Sequence, residues 1–298
     1  MKKMCYVWFM LFCMAGQKLL AQMPNDHIYM AKKDICAALI YSHTHWDHYW
    51  ENGLFRENLN IGRFSMKSMM AMAAYGLGDN SNLITALPYV QTKASAGNLM
   101  GQEGLQDAGL WFKHRQTLLK GLRAHGVLGA TFPVSNYVPD FMPMSIGMKT
   151  TDLQARVILN YQIPQTKLYA NAMVAYHWRG HSRLDRDAYL YHDQLVYLDK
   201  AKVPNAIDLG LRLGWAKWDN QIELFWDRFA CTSGDNIRRN DMPFLTNKTQ
   251  SSQIGVYVKY QPKQLGFNAR FAQVLSGENS AQTQTYALGL LYQFTLLK

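Results

Sequence analysis

The chain is poor in cysteine and in charge, and after its first residues it has no long apolar run. Of its 4 cysteines, Cys5 and Cys13 fall in an apolar leader. Only Cys36 and Cys231 remain, which can pair in an oxidising compartment but cannot build a disulfide framework. Beyond the leader no stretch of about 18 apolar residues occurs, which excludes a bundle of membrane-spanning helices. The net charge of +10 is mild for 298 residues, and Lys2, Lys3 and Lys18 of the leader contribute to it. No cluster of Lys and Arg interleaves with aromatic residues, so no nucleic-acid partner is expected.

What is there is apolar and aromatic. Charged residues are 17% of the chain and aromatic residues 13%, a dry composition for a secreted soluble protein. A β-barrel reconciles these facts, because it crosses a membrane without long apolar runs. The leader fits the same compartment. Met1-Lys2-Lys3 is a basic start, Met4 to Gly16 is apolar, and Leu19-Leu20-Ala21 ends on a small residue. It reads as a signal peptide over 1–21, and its apolar run is too short for a membrane anchor. Cys13, preceded by Leu11-Phe12, lacks the setting for lipid attachment. Residues 22–34 are then expected as a short periplasmic segment and 35–298 as the barrel.

Period-2 alternation tests the idea, since a barrel strand turns one face to lipid and the other to the lumen. Over Lys167 to Trp178 the series Leu168, Ala170, Ala172, Val174, Tyr176, Trp178 alternates with Tyr169, Asn171, Met173, Ala175, His177. Ile207, Leu209, Leu211, Leu213, Trp215 alternate with Asp208, Gly210, Arg212, Gly214. Similar patterns occupy Leu153 to Ile163, Ile222 to Asp227, Ile254 to Tyr260, Leu265 to Phe271 and Tyr286 to Leu296. Helical spacing is scarce.

The connections alternate as well. Short joins are expected at Gly78 to Ser81, His114 to Gln116, Ile163 to Gln165, Trp218 to Asn220 and Gln261 to Lys263. Long joins are expected at Glu51 to Asn58, Thr92 to Gln106, Pro133 to Lys149, Arg179 to Asn205, Thr232 to Thr249 and Ser276 to Thr283. Ala188 to Leu198 alternates loosely and is assigned to an outer loop. The predicted fold is all-β: a transmembrane antiparallel up-and-down barrel of about 12 strands (12–14), with both termini periplasmic. The implied location is the outer membrane of a Gram-negative bacterium, with its lipid as one partner.

One motif points elsewhere. "YSHTHWDHYW", Tyr41 to Trp50, spells the His-x-His-x-Asp-His cluster of metallo-β-lactamase-type zinc hydrolases. A first strand running from about Ile35 to Trp50 puts Leu39, Tyr41, His43, His45, Asp47 and Tyr49 on one face. Ile40, Ser42, Thr44, Trp46, His48 and Trp50 take the other, with Trp46 and Trp50 in the outer aromatic girdle. His43, His45 and Asp47 then form a polar row facing the lumen. Same-face residues on a strand lie about 6.5–7 Å apart, so this row does not converge on one ion. His125 and His181 echo the later ligands but lack the layered fold that brings such ligands together. No metal and no cofactor is expected.

Several further stretches carry a resemblance: "DHYWENGLFRENLNIG" (Asp47 to Gly62), "YGLGDNSNLITALPYV" (Tyr75 to Val90), "TKASAGNLMGQEGLQD" (Thr92 to Asp107), "LGLRLGW" (Leu209 to Trp215) and "GDNIRRNDMPF" (Gly234 to Phe244). Together they resemble a family of outer-membrane barrels labelled as transporters of the meta-cleavage pathway of phenol degradation. That family is related in outline to the long-chain fatty-acid channels. The resemblance covers most of the chain after the leader and implies a barrel that passes small hydrophobic or aromatic molecules. Its motifs are structural and fix no solute.

The stretch ending in Asp107 reads as a Gly-rich outer loop able to fold inward, with Asp107 opening a descending strand. In "GDNIRRNDMPF", Arg238 and Arg239 either pair with Asp235 and Asp241 or are solvated. The luminal series collects His43, His45, Arg63, Lys67, Arg123, His125, Arg156, Lys167, Arg212, Lys259 and Arg270, against Asp47, Asp208, Glu223 and Asp227. Either this lumen attracts anionic solutes, or its charges pair into a network that plugs a narrow barrel; the low strand number favours the plug. Phe141, Met142, Met144 and Met148 lie in "VPDFMPMSIGM", where apolar, adaptable methionines suit either solute entry or packing on the barrel mouth.

The leading function is therefore an outer-membrane channel for small, largely hydrophobic or aromatic solutes, and no enzyme. A rim enzyme acting on lipid, with His181-Ser182 as its nearest candidate pair, and a structural barrel without transport are the alternatives.

Overall fold

The computed structural model describes residues 23–218, 220–239 and 241–296. The expected signal peptide, with Cys5 and Cys13, and the turn residue Asp219 lie outside the described residues. Twelve long strands form one closed antiparallel barrel. They are β1 (Asp34–Trp46), β2 (Phe64–Gly78), β3 (Ser81–Ala94), β4 (Asp107–Leu119), β5 (Leu122–Pro133), β6 (Asp152–Gln162), β7 (Leu168–Arg179), β8 (Ala206–Lys217), β9 (Asn220–Cys231), β10 (Gln250–Tyr260), β11 (Leu265–Glu278) and β12 (Gln284–Thr295). Each pairs with its neighbour in sequence. The ring closes where β1 pairs with β2 on one side (Ile35 opposite Tyr75) and β12 on the other (Asp34 opposite Thr295).

Alternation decides the two faces. On β8, Leu209, Leu211 and Leu213 point out and are exposed, while Gly210 and Arg212 point in and are buried. On β12, Leu288, Leu290 and Tyr292 point out, while Leu291 and Gln293 point in. The outward leucines, valines and aromatics continue around the whole ring. An apolar belt of that size is far beyond what a soluble surface carries, so the barrel spans a membrane. No helix is long and apolar enough to cross a membrane among the described residues.

Most short joins fall where the sequence puts them. One does not: His114 to Gln116 lie within β4, and the turn is Lys120-Gly121, where Gly121 takes φ +84°. β1 also ends earlier than expected. Asp47 is a bend, and a separate short strand, His48–Glu51, leads into the mouth and pairs with Leu54–Glu57 and Ser280–Ala281. The parity of β1 is consequently the reverse of the predicted one. Cys36, Ile40 and Thr44 are buried and face in, while Leu39 and Tyr41 are exposed and face out. Trp46 accordingly turns inward onto Phe64, ring centroids 5.4 Å apart, and Trp50 is buried under Phe55, so neither joins an outer girdle.

Two segments fill the bore. Residues 23–33, expected as a short lead-in, turn into the barrel at the short-turn end. Met30 joins Cys36, Met72, Ala74, Ile84 and Leu291 in the largest apolar cluster. The backbone can pass because Gly76 has no side chain: a Cβ there would stand 1.9 Å from the Ala31 carbonyl oxygen, and Lys33 N donates to the Gly76 carbonyl. The second segment is the loop between β5 and β6. Met144 and Ile146 are buried on the inner faces of β2 and β3, and Thr92 Oγ1 donates to the Met144 carbonyl at 2.7 Å. The Gly-rich stretch before Asp107, read as an outer loop able to fold inward, stays at the rim, where Ala96 N donates to the Ile61 carbonyl and Glu103–Leu105 adds to the edge of β3. Asp107 does open the descending strand.

Cys36 and Cys231 are both free. They lie at opposite ends of the wall: Cys36 is opposite Gln293 near the short turns, and Cys231 is at the mouth end of β9.

The N-terminal segment is pinned by one buried ion pair. Lys113 Nζ, fully buried, meets Asp26 Oδ1 at 2.7 Å and also donates to the carbonyls of Met23 and Ile28. Lys113→Ala leaves the Asp26 carboxylate without its cation, which costs about 3–5 kcal/mol for a buried pair. The expected outcome is release of 23–33 from the bore, read as new protease cleavage in that segment while the barrel still resists heat-free detergent unfolding.

Candidate functional site

The mouth holds a cavity of about 610 Å³. Its walls are Trp46, Tyr49, Leu59, Ile61, Phe64, Leu99, Met142, Pro143, Met148, Ile237, Met242, Phe244 and Leu245, with Glu51, Arg56 and Asp241 among the polar residues. Five outer loops line it, that between β11 and β12 through Asn279 to Ala281, and the apolar side chains pack because the loops bury Ile61, Met144 and Leu245 beneath. Below it lies a second cavity of about 290 Å³, lined by Asp107, Thr131, Ser145, Asp152 and Arg179. Met142 and Met148 line both cavities and stand between them. Of the four predicted entry residues, these two line both cavities, Phe141 packs on the Ile61 and Phe64 cluster, and Met144 is buried.

The lower cavity is fixed by hydrogen bonds to the inward loop. Tyr137 Oη donates to Asp107 Oδ1 at 2.6 Å and accepts from Lys149 N at 2.7 Å. Burial, reinforced by the neighbouring Asp107 carboxylate, pushes the Tyr137 hydroxyl far up, so it stays a donor. His177 Nδ1 lies 2.9 Å from Asp152 Oδ2.

Deeper in the bore the inward charges pair. Arg156 reaches Asp208 at 3.7 Å. Arg212 bridges Glu223 at 3.3 Å and Asp227 at 3.1 Å, and Arg270 approaches Asp227 from the other side at 3.7 Å. Tyr169 Oη donates to Glu223 at 2.8 Å and receives Gln221 Nε2 at 2.6 Å. Phe225 lies under the Arg270 guanidinium, 4.4 Å from its carbon. Beneath this ladder sits the N-terminal segment. The His27 ring lies tilted against Tyr169 with centroids 4.2 Å apart, and Tyr29 Oη lies 3.3 Å from His125 Nδ1.

No protein-family model matches the chain, and no curated protein matches it. Among solved structures, an outer-membrane channel from Pseudomonas putida F1 superposes with a TM-score of 0.74 at 12% identity, over 92% of this chain and 100% of that one. The protein has the fold of an outer-membrane β-barrel. The translocator domain of the autotransporter NalP from Neisseria meningitidis is more distant, with a TM-score of 0.49 at 10% identity over 90% of both chains. The NanC porin has a TM-score of 0.48 at 7% identity, over 85% of this chain and 98% of that one.

Of the predicted luminal residues, Arg123, His125, Arg156, Asp208, Arg212, Glu223, Asp227, Lys259 and Arg270 sit on inward positions of this barrel. Lys167 stands outside the strands, at the short turn before β7. His43, His45 and Lys67 do not face the lumen: they follow the exposed parity of Leu39, Tyr41 and Met69 and point out of the wall. Asp47 and Arg63 lie on the bend beside them, 3.1 Å apart. Bonds from His48 and then Arg63 hold the Asp47 carboxyl below the usual carboxylate range.

No group of three metal-ligating side chains forms among the described residues; the His43 and His45 rings stack 5.5 Å apart, and His45 stacks in turn on Tyr286 at 6.1 Å. His181 and Ser182 point to opposite sides of their short strand, the serine buried and the histidine exposed, so they form no dyad. Arg238 pairs with Asp193 at 2.9 Å, and Asp235 instead accepts from Thr246 and Asn247.

Sequence reasoning missed Asp26, Lys113, Tyr137 and Tyr169. Lys113 had a readable signal: it follows Trp111 on one parity, and a turn assigned to Lys120-Gly121 puts both inside. The others depend on chain segments entering the bore, which no local pattern announces. Removing the hub of the charge ladder tests its structural weight. Arg212→Leu leaves Glu223 and Asp227 buried with one guanidinium fewer, so the guanidinium chloride midpoint of the detergent-solubilised barrel should fall by the equivalent of about 3 kcal/mol or more.

Proposed function

We propose that the protein is a channel of the Gram-negative outer membrane for small, largely hydrophobic or aromatic solutes. The observation that carries this is the apolar mouth cavity of about 610 Å³, and we read Met142 and Met148, which it shares with the smaller cavity of about 290 Å³, as the neck of the path. A cavity of that size suits a compound of one or two rings, with Trp46, Tyr49 and Phe244 offering ring faces and the thioethers yielding to varied shapes. Arg179, Asp152 and Asp107 below the neck offer hydrogen bonds to a hydroxyl or carboxyl group carried on the ring. The inward charged residues from His125 to Arg270 are the continuation of this path toward the short-turn end, where 23–33 forms the last barrier. The barrel with the same fold from Pseudomonas putida F1 is itself an outer-membrane channel, in agreement with this reading.

A barrel without transport is the second reading, and one observation favours it: both the N-terminal segment and the inward loop occupy the bore. Flux separates the two. In liposomes, an entrapped single-ring aromatic carboxylate should leave faster through the protein than a sugar of equal size. Met148→Trp should slow that efflux several-fold by filling the neck, while unheated electrophoretic mobility stays that of a folded barrel. Efflux no faster than from empty liposomes, for both solutes, sinks the channel and leaves the structural barrel.

A further inference from the structure

The His43 to Asp47 row, unused by the bore, belongs to the outer wall. His43 is in register with Lys67 on one side and Tyr286 on the other, and His45 with Ser65 and Gln284. One strand further, Lys67 is opposite Gln91 and Ser65 is opposite Lys93. All of these positions share the outward parity of Tyr41, Met69 and Tyr89. Lys67, Lys93, Arg63 and two imidazoles are thus gathered on one patch over β1, β2 and β3, at the mouth end of the strands.

The height of the patch is fixed by its own neighbours. Tyr286 and Tyr89 are outward tyrosines above the apolar belt, the position of an interfacial girdle. Lys67 stands level with Tyr286, and Lys93 lies one residue pair further out. Lysine stems can lie along the wall there and lift their ammonium groups among lipid headgroups. The nearby carboxylates are engaged: Asp47 by His48 at 2.8 Å and Arg63 at 3.1 Å, and Glu103 by Gln91 Nε2 at 2.8 Å. Neither Lys67 nor Lys93 enters an ion pair among the described residues. Elsewhere at this height the wall carries Phe132, Trp178 and Phe271 with the uncharged Gln273 and Gln284, and its outward arginine, Arg228, donates to Gln250.

We propose that this patch binds the phosphate groups of an anionic glycolipid headgroup in the leaflet facing the long loops. Two unpaired ammonium groups, a half-used guanidinium and two imidazoles supply hydrogen-bond donors to phosphate oxygens at headgroup depth, against a wall that accepts the acyl chains. The proposal rests on the outer-membrane placement above, which cell fractionation tests separately.

The test uses the full chain without its leader, in detergent, titrated with bisphosphorylated lipid A and followed by native mass spectrometry. Lys67→Gln with Lys93→Gln should weaken retention on the order of 30-fold, from about fivefold for each interfacial cation. Lys67→Arg with Lys93→Arg should retain the lipid, and Arg228→Gln should leave retention unchanged. Lipid A stripped of phosphate should bind as weakly as the double glutamine variant. Equal retention of the stripped lipid, no loss in the double glutamine variant, or displacement of lipid A by millimolar inorganic phosphate would each overturn the proposal. The variants sit on exposed positions, and unheated mobility reports their folding independently.

Discussion

Closure of the sheet is the constraint on which the rest depends. In lipid, every backbone amide and carbonyl needs a partner within the protein, and only a ring of strands without edges provides one all round. β1 meets that need by pairing with β2 and β12 at once, through registers that run nearly its whole length. Once the ring is closed, every residue of a strand has its side assigned, out to lipid or in to the bore. A slip of one residue would turn Leu209, Leu211 and Leu213 inward and expose Arg212 to hydrocarbon, so the register is held by the cost of a charge in the membrane.

The interior follows from the same closure. A ring of 12 strands encloses a bore wider than that of an 8-stranded barrel, which side chains alone fill. Two devices fill it. Arginines and carboxylates on inward positions pair across the bore, as Arg212 does with Glu223 and Asp227, so that charges in a confined space satisfy one another. Chain from outside the strands fills the remainder, residues 23–33 from one end and the loop carrying Met144 and Ile146 from the other. Between the inward loop and the mouth, the apolar surfaces of the outer loops leave a cavity, and Met142 and Met148 stand between it and the smaller one.

Much of the barrel was legible from side chains alone. The alternation in Lys167 to Trp178 and in Ile207 to Trp215 identifies strands, because one face must be apolar for lipid whatever the other carries. Failures came where that contrast weakens. Near the mouth, His43, His45 and Lys67 are polar on the outward face, so parity read from polarity reversed β1. At the end of β4, the outward Leu118 and inward-facing residues of mixed polarity hid a strand that continues to Leu119. The Met-rich loop was recognised as unusual and read as either solute entry or packing on the barrel mouth, and its descent into the bore was not foreseen.

What the sequence by itself determined was the class of molecule and its periodicity: a dry, alternating chain with short and long joins in turn can close only as a membrane barrel. Tertiary structure alone decided the contents of the bore, since Lys113 and Asp26, or Thr92 and the Met144 carbonyl, are far apart in the chain and meet only after the ring has closed. Local patterns report how a strand meets its surroundings. Which segments enter the space enclosed by all the strands depends on the shape of that space, and no single stretch of sequence contains it.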